Sequence, residues 1–289
     1  MLDERFFKPI SDQTPFRQGD VIRRDPIGSS QPSWGVIITA DCDIAQEKMG
    51  EFYTYLVVRS ARDYVEQVWA GEELLKLAER HRRVAIEGIH EADQIRDANA
   101  IPLTAADLTD WAAADGATAI LNAIGVSNNR VRSRLEAAIE IALIANQQTS
   151  ENVTSLQLLK ACWSREGKKA PEQSGAIRNA LNPRQMRSDY MLLPALPAER
   201  EVGFVVMLRD VRAIRSTELF MSRLDRRIGD GDDATMYRIG RFSDFIRYAI
   251  AQRMATLFSR IGMTEHFESE SEVAANLILE SIHSSTDER

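Results

Sequence analysis

Two carboxylates flank a thiol at Asp41-Cys42-Asp43, directly after the apolar run Trp34-Gly-Val-Ile-Ile-Thr-Ala40. Val36, Ile37 and Ile38 are consecutive and β-branched, which predicts a strand buried on both faces. The acidic pair is then expected to leave the end of that strand. Carboxylates two residues apart on extended chain point to the same side. They could hold a hard cation through oxygen or work as an acid–base couple with one raised pKa. They could equally cap backbone N–H groups in a turn and pair with an arginine; Arg23, Arg24, Arg209 and Arg212 are the candidates. Cys42 faces the other way on such a strand and has no neighbouring histidine to activate it, so it is expected to be a small apolar residue.

The elements around this cluster follow from periodicity. Short strands are expected at 20–24, 35–40 and 53–58, the last being aromatic and β-branched (Phe52-Tyr-Thr-Tyr-Leu-Val-Val58). From about Ala61 to Leu181 the apolar period becomes helical, with Val131, Leu135, Ala138, Ile139 and Ala142 on one face. Thr104 is a candidate N-cap with Asp107 behind it, Gly125 and Gly167 read as breaks, and 165–175 reads as an exposed loop. Strands return at 190–193 and 203–208, with Val211–Ile214 beside the latter. Phe242, Phe245, Ile246, Ala249, Ile250, Met254, Leu257 and Ile261 form a helical stripe that Gly262 closes, with Asp244 and Arg247 facing away. A shorter helix follows through Val273, Leu277 and Ile282.

Three strands, about 120 helical residues and then more strands is an uncommon order. Neither strand set alone can bury enough apolar area, so one β-unit interrupted by an insertion is expected. The fold class is therefore α+β: a split β-barrel (1–60 and 186–220), a large helical insertion (61–185) and C-terminal helices (221–289).

Composition narrows the function classes. With 289 residues, 44% hydrophobic and 27% charged, the chain can fill a full core. No apolar run is long enough to cross a bilayer, and residues 1–20 lack the apolar core of a secretory signal. Two cysteines, Cys42 and Cys162, point to reducing cytoplasm rather than a disulfide framework. The four histidines form no ligand spacing, so neither a transition metal nor a cofactor is expected. Asp230-Gly-Asp-Asp233 has half the ligands of a calcium loop and reads as an acidic turn. The net charge of −7 excludes bulk attraction to polyanions, although Arg165–Arg247 holds 16 Lys and Arg against 12 Asp and Glu. An Arg-rich surface suits either ordinary ion pairing or contact with phosphate.

Two separated pieces resemble the small SH3-like barrel of PemK/MazF-type toxins. One is Gln18-Gly-Asp-Val-Ile22, the Gly28-Ser-Ser-Gln31 loop and Gly35-Val-Ile-Ile-Thr39; the other is Gly203-Phe-Val-Val-Met-Leu-Arg-Asp-Val-Arg-Ala-Ile214. Together they cover about 70 residues of short, degenerate motif. Thr39-Ala-Asp-Cys-Asp43 and Arg253-Met-Ala-Thr-Leu-Phe-Ser-Arg-Ile-Gly262 also resemble poorly characterised bacterial proteins of mobile or defence gene neighbourhoods. The resemblance implies an SH3-like barrel and, in the toxin family, endoribonuclease activity. That family carries an arginine before the valine-rich strand to stabilise charge on the scissile phosphate; here Trp34 stands in its place. The expected function is thus a catalytically degenerate adaptor in a bacterial antiviral-defence or toxin–antitoxin-like complex, with a protein partner. Trp34, Arg209 and Arg212 are its candidate binding residues. The alternative is an endonuclease acting on RNA rather than DNA, with Arg23, Arg24, Asp41 and Asp43 at the barrel mouth.

Overall fold

The two apolar stretches that flank the helical region meet in one sheet. In the computed structural model, which describes residues 6–11, 13–25, 32–96, 103–147, 153–229, 234–259, 269–270 and 272–278, strand β4 (Phe52–Ser60) pairs antiparallel with β6 (Phe204–Arg215). Tyr53 lies opposite Ile214 and Ser60 opposite Phe204, with a register shift between Leu56 and Val58. Besides these, β1 (Phe7–Lys8), β2 (Asp20–Arg24), β3 (Ser33–Ile37), β5 (Tyr190–Leu193) and β8 (Met236–Phe242) complete the order β1-β8-β2-β3-β4-β6-β5. A two-residue strand, β7 (Leu219–Phe220), adds to β8 in parallel.

The expectation of one sheet shared by both halves therefore holds, and the class is α+β. Closure does not: among the described residues the sheet is open, with β1 and β5 at its edges. Its core explains why. Both faces are covered, so the sheet has no single interior around which to curl. On one face Trp34, Val36, Leu56, Val58, Phe204 and Val206 pack against Ile246, Ile250 and Leu257 of α9 (Asp244–Phe258). On the other, Ile22, Ile37, Tyr53, Tyr55, Val57 and Val205 pack against Phe16, Tyr64 and Val65. Val36 and Ile37 are each about fully buried on opposite faces, as consecutive β-branched residues demand.

Between the halves lie α1 (Asp41–Ala45), then, after β4, α2 (Ala61–Asp63), a π-helical stretch Tyr64–Trp69, α3 (Ala70–Arg96), α4 (Ala105–Ile124), α5 (Asn129–Ala145), α6 (Ser155–Arg165) and α7 (Ala170–Ala180). The insertion has its own apolar clusters, with Cys162 fully buried in one of them. Thr104 caps α4 reciprocally with Asp107, as expected. Most of 165–175 is not a loop, because Pro171 sits in the first turn of α7 and Glu172 accepts the Lys169 N–H. The insertion is tied to the sheet where Tyr190 and Arg187 both donate to Glu72, at 2.7 and 2.6 Å, beneath an edge-on Tyr64–Tyr190 ring contact. No helix among the described residues is long and apolar enough to cross a membrane.

Two further expectations change. Val211–Ile214 is the continuation of β6, not a neighbouring strand. The region after 220, read as helical, contains α8 (Arg223–Ile228) but also β8, which pairs with β2 in the interior of the sheet. Residues 28–31, 230–233, 262 and 282 lie outside the described residues.

A buried ionic cluster joins β2 to β8. Asp20 is fully buried, Arg238 is 5% exposed and Arg241 is 8% exposed. Arg241 donates Nε–H to Asp20 Oδ1 at 2.5 Å and Nη2–H to Oδ2 at 3.0 Å, a bidentate fork; Arg238 Nη1 lies 3.3 Å from Oδ2. The remaining guanidinium donors reach the carbonyls of Ser11, Thr14 and Pro15. One carboxylate thus organises two strands and the segment leading into them. Removing one partner from a buried pair leaves uncompensated charge. Asp20→Ala is expected to cost about 3–5 kcal/mol in urea denaturation, whereas a loss under about 1 kcal/mol would show that the cluster holds nothing together.

The junction with the insertion predicts alkaline sensitivity. Burial, then Glu72, pushes the Tyr64 phenol up to about 12, and Tyr190 is raised by burial and its bond to Glu72. A raised folded-state pKa gives stability that is fully present below the unfolded value near 10 and lost as pH rises through the folded value. Denaturation midpoints should therefore hold up to about pH 10 and fall towards pH 12, with the Tyr64→Phe, Tyr190→Phe double variant showing a shallower fall.

Candidate functional site

Asp41 opens α1 where the chain leaves β3, so it sits at the strand end but on a helix. The carboxylates of Asp41 and Asp43 in the first turn complement the helix N-terminus, which favours a helical start there over extended chain. Asp41 Oδ1 accepts the Gln18 N–H at 2.8 Å and Oδ2 accepts from Arg247 Nη1 at 2.5 Å. It therefore ties the turn before β2 and the first turns of α9 to α1. Arg247 also lies 3.0 Å from Asp244, donates to the Tyr248 hydroxyl at 3.0 Å and stacks over that ring. Burial works against its charge, and Tyr248, Asp41 and Asp244 outweigh burial, so its pKa ends above the ordinary arginine value.

Gly19 makes room for this arrangement. Its φ is +89°, and a Cβ there would sit 3.2–3.4 Å from the Arg247 methylenes, so both backbone and space favour glycine. Arg247 separates two hollows. An apolar one of about 210 Å³ is lined by Val36, Ile37, Ile38, Ile250 and Met254. A polar one of about 370 Å³ is lined by Lys8, Arg17, Arg241, Asp41 and Asp244.

The sequence-derived pair does not act together. On a helix, residues two apart diverge by roughly 200°, so Asp41 and Asp43 do not share a side as they would on a strand. Asp43 has no ion pair among the described residues; its side-chain contact is Cys42 Sγ at 3.6 Å. Cys42 is exposed, not a buried small residue. The arginine that reaches Asp41 is Arg247, outside the expected set of Arg23, Arg24, Arg209 and Arg212.

Those four are placed elsewhere. Arg23 donates to Glu199 Oε1 at 2.6 Å and lies 3.4 Å from Asp25. Trp34 donates its indole N–H to the same Glu199 oxygen at 2.9 Å, is 3% exposed and packs edge-on against Phe204. Trp34 is thus a core residue with its polar atom satisfied. Asp25 also accepts from Arg226 and the Tyr237 hydroxyl, and Arg223 stands 3.5 Å away. Arg209 pairs with Asp189 and Arg212 with Asp210. Arg24 has no carboxylate partner among the described residues, and its Nε is buried without a hydrogen bond.

Among the described residues no group of three or more His, Cys, Asp or Glu could hold a metal ion. No protein-family model, no curated protein and no solved structure matches the chain. Held by a guanidinium on one oxygen and a backbone N–H on the other, Asp41 has a connecting role between α1, the turn before β2 and α9. Asp41 is 39% exposed on its side chain, so its coupling to Arg247 is discounted for solvent to about 1 kcal/mol. A double-mutant cycle with Asp41→Ala and Arg247→Ala should return a coupling of that size; additive losses would show the two side chains to be independent.

Proposed function

We propose that this chain is an interaction subunit of a bacterial defence or toxin–antitoxin-like assembly, built on a degenerate PemK/MazF-like, SH3-like scaffold and acting in the cytoplasm. The observation that carries this reading is the engagement of the charges chosen for chemistry. Of the four groups expected at a nuclease site, Asp41 is closed by Arg247 and Gln18 and Arg23 by Glu199 and Asp25, while Asp43 and Arg24 have no ion pair among the described residues; the adaptor candidates Arg209 and Arg212 pair with Asp189 and Asp210. A phosphoryl-transfer site without a metal needs a cation and an acid–base pair free to meet the substrate. Asp41 and Arg23 instead join secondary-structure elements.

A protein partner is favoured by the outer side of α9. Ile246, Ile250 and Leu257 enter the core, while Phe245 is 72% exposed and Tyr248, one turn on, is 60% exposed. Phe245 was expected in the packed stripe; it stands outside it. Neighbouring exposed aromatic rings suit an anchor for a partner's apolar surface, with the tyrosine hydroxyl at the wet rim. The free thiols of Cys42 and Cys162 fit a reducing compartment.

The endoribonuclease reading keeps one supporting observation, that Arg24 has no carboxylate partner among the described residues. The two are separated by assaying purified protein on single-stranded RNA and DNA, with and without Mg²⁺, alongside partner recovery. The adaptor is expected to leave both nucleic acids intact. Phe245→Ala should leave the melting temperature unchanged and weaken a purified partner by about 2 kcal/mol, roughly thirtyfold. RNA cleavage that disappears in folded Asp41→Asn or Arg24→Ala protein would overturn the proposal.

A further inference from the structure

The outer strip of α9 carries no charge. Phe245, Tyr248, Gln252, Ala255 and, at the C-terminal cap, Ser259 recur at helical spacing, and all of them are exposed. The charged residues of the helix are Asp244, Arg247 and Arg253, and each is turned to its own chain. Asp244 meets Lys8, Arg247 meets Asp41, and Arg253 donates to the Tyr190 carbonyl at 3.3 Å. A helix face that only meets water carries charged side chains as a rule, whereas the centre of a protein interface is depleted of them.

Size is graded along this strip. Its N-terminal end holds aromatic rings, its C-terminal end small side chains. The hydroxyls at the small end are already satisfied by their own helix: Thr256 donates Oγ1–H to the Gln252 carbonyl at 2.9 Å, and Ser259 donates Oγ–H to the Thr256 carbonyl at 3.1 Å. Covering them therefore strands no donor. Beside them opens a hollow of about 300 Å³, lined by Ser188, Gln252, Arg253, Thr256 and Leu257. A cavity of roughly 150 Å³ is enough for a benzene ring, so this hollow admits a phenylalanine side chain. Phe245 of the same chain stands about 16 Å along the helix from Thr256 and cannot reach it.

We propose that the partner seated on α9 is a second copy of this chain. The two helices run antiparallel about a two-fold axis, and Phe245 of each copy enters the hollow of the other. A two-fold contact uses one patch twice, so the patch must complement itself. A face with rings at one end and a hollow at the other does so only when the helices run in opposite directions. Parallel helices would set ring against ring and leave both hollows empty. Phe245 and Thr256 lie within roughly 20° of each other around the helix, so the two-fold brings ring and hollow to the same side of the contact. Antiparallel helices also oppose their macrodipoles. This inference rests on the reading of α9 as a partner face and names the partner: the subunit enters its assembly as a homodimer.

Sedimentation equilibrium of the whole chain from about 1 to 200 µM tests it. The data should fit one monomer–dimer equilibrium within that range. Phe245→Asp and Thr256→Trp should each weaken the dimer about thirtyfold or more, the second by filling the hollow while the ring stays in place. Both positions are exposed, so each variant is compared at an unchanged monomer melting temperature; should Thr256→Trp unfold, Phe245→Asp and the distances below carry the test. With the exposed thiol removed by Cys42→Ser, nitroxides on Gln252→Cys should lie within about 15 Å of each other and those on Ser259→Cys about 25 Å apart or more. Short distances at both positions would show a parallel pair and overturn the proposal. A dimer indifferent to both variants would place the contact elsewhere and also overturn it. A chain that stays monomeric while Phe245 still governs binding of a different purified protein would overturn the second copy and leave α9 a partner face. A monomer whose Phe245 governs no binding at all would overturn both.

Discussion

The carboxylate of Asp20, fully buried between two arginines of β8, is the constraint on which the architecture turns. An unpaired buried charge is far more costly than a paired one, so the chain can bury β2 and β8 only together. Arg238 and Arg241 then use their other donors on the carbonyls of Ser11, Thr14 and Pro15, which draws the N-terminal segment over the same end of the sheet. Once β8 is in place, Ser243 follows directly and α9 lies across the apolar face formed by Val36, Leu56 and Phe204. From there Arg247 reaches Asp41.

The same logic recurs on a smaller scale. Asp25 gathers Arg23, Arg226 and Tyr237, while Glu199 holds Arg23 and the Trp34 indole together. Carboxylates that look catalytic in the sequence work as connectors between segments far apart in the chain. Specificity of pairing, more than net stability, is what buried or half-buried ion pairs contribute best.

Much of the strand pattern was legible. Val36-Ile37 and Val205-Val206 announce strands buried on both faces, and Thr104 with Asp107 marks a helix start. The need of each three-stranded set for the other was enough to join the halves. β8 was not legible, because Met236-Tyr-Arg-Ile-Gly-Arg-Phe242 reads as a polar, glycine-interrupted stretch; its arginines are buried only because Asp20, 221 residues from Arg241, meets them. The acidic pair misled for a different reason. A five-residue helix is too short to leave a period, so Asp41 and Asp43 inherited the extended geometry of the strand before them. Arg247 was assigned to the solvent side of its helix by apolar periodicity, which is blind to a guanidinium that lays its methylenes along Gly19.

If the ionic cluster is the keystone, the sheet opens as one unit. Native-state hydrogen exchange along a denaturant series resolves this strand by strand. The amides of β2 and β8 should exchange only through global unfolding, with the same free energy as those of β4 and β6. Opening of β8 at lower denaturant, while β4 and β6 remain protected, would contradict the account, because the sheet would then stand without the Asp20 cluster.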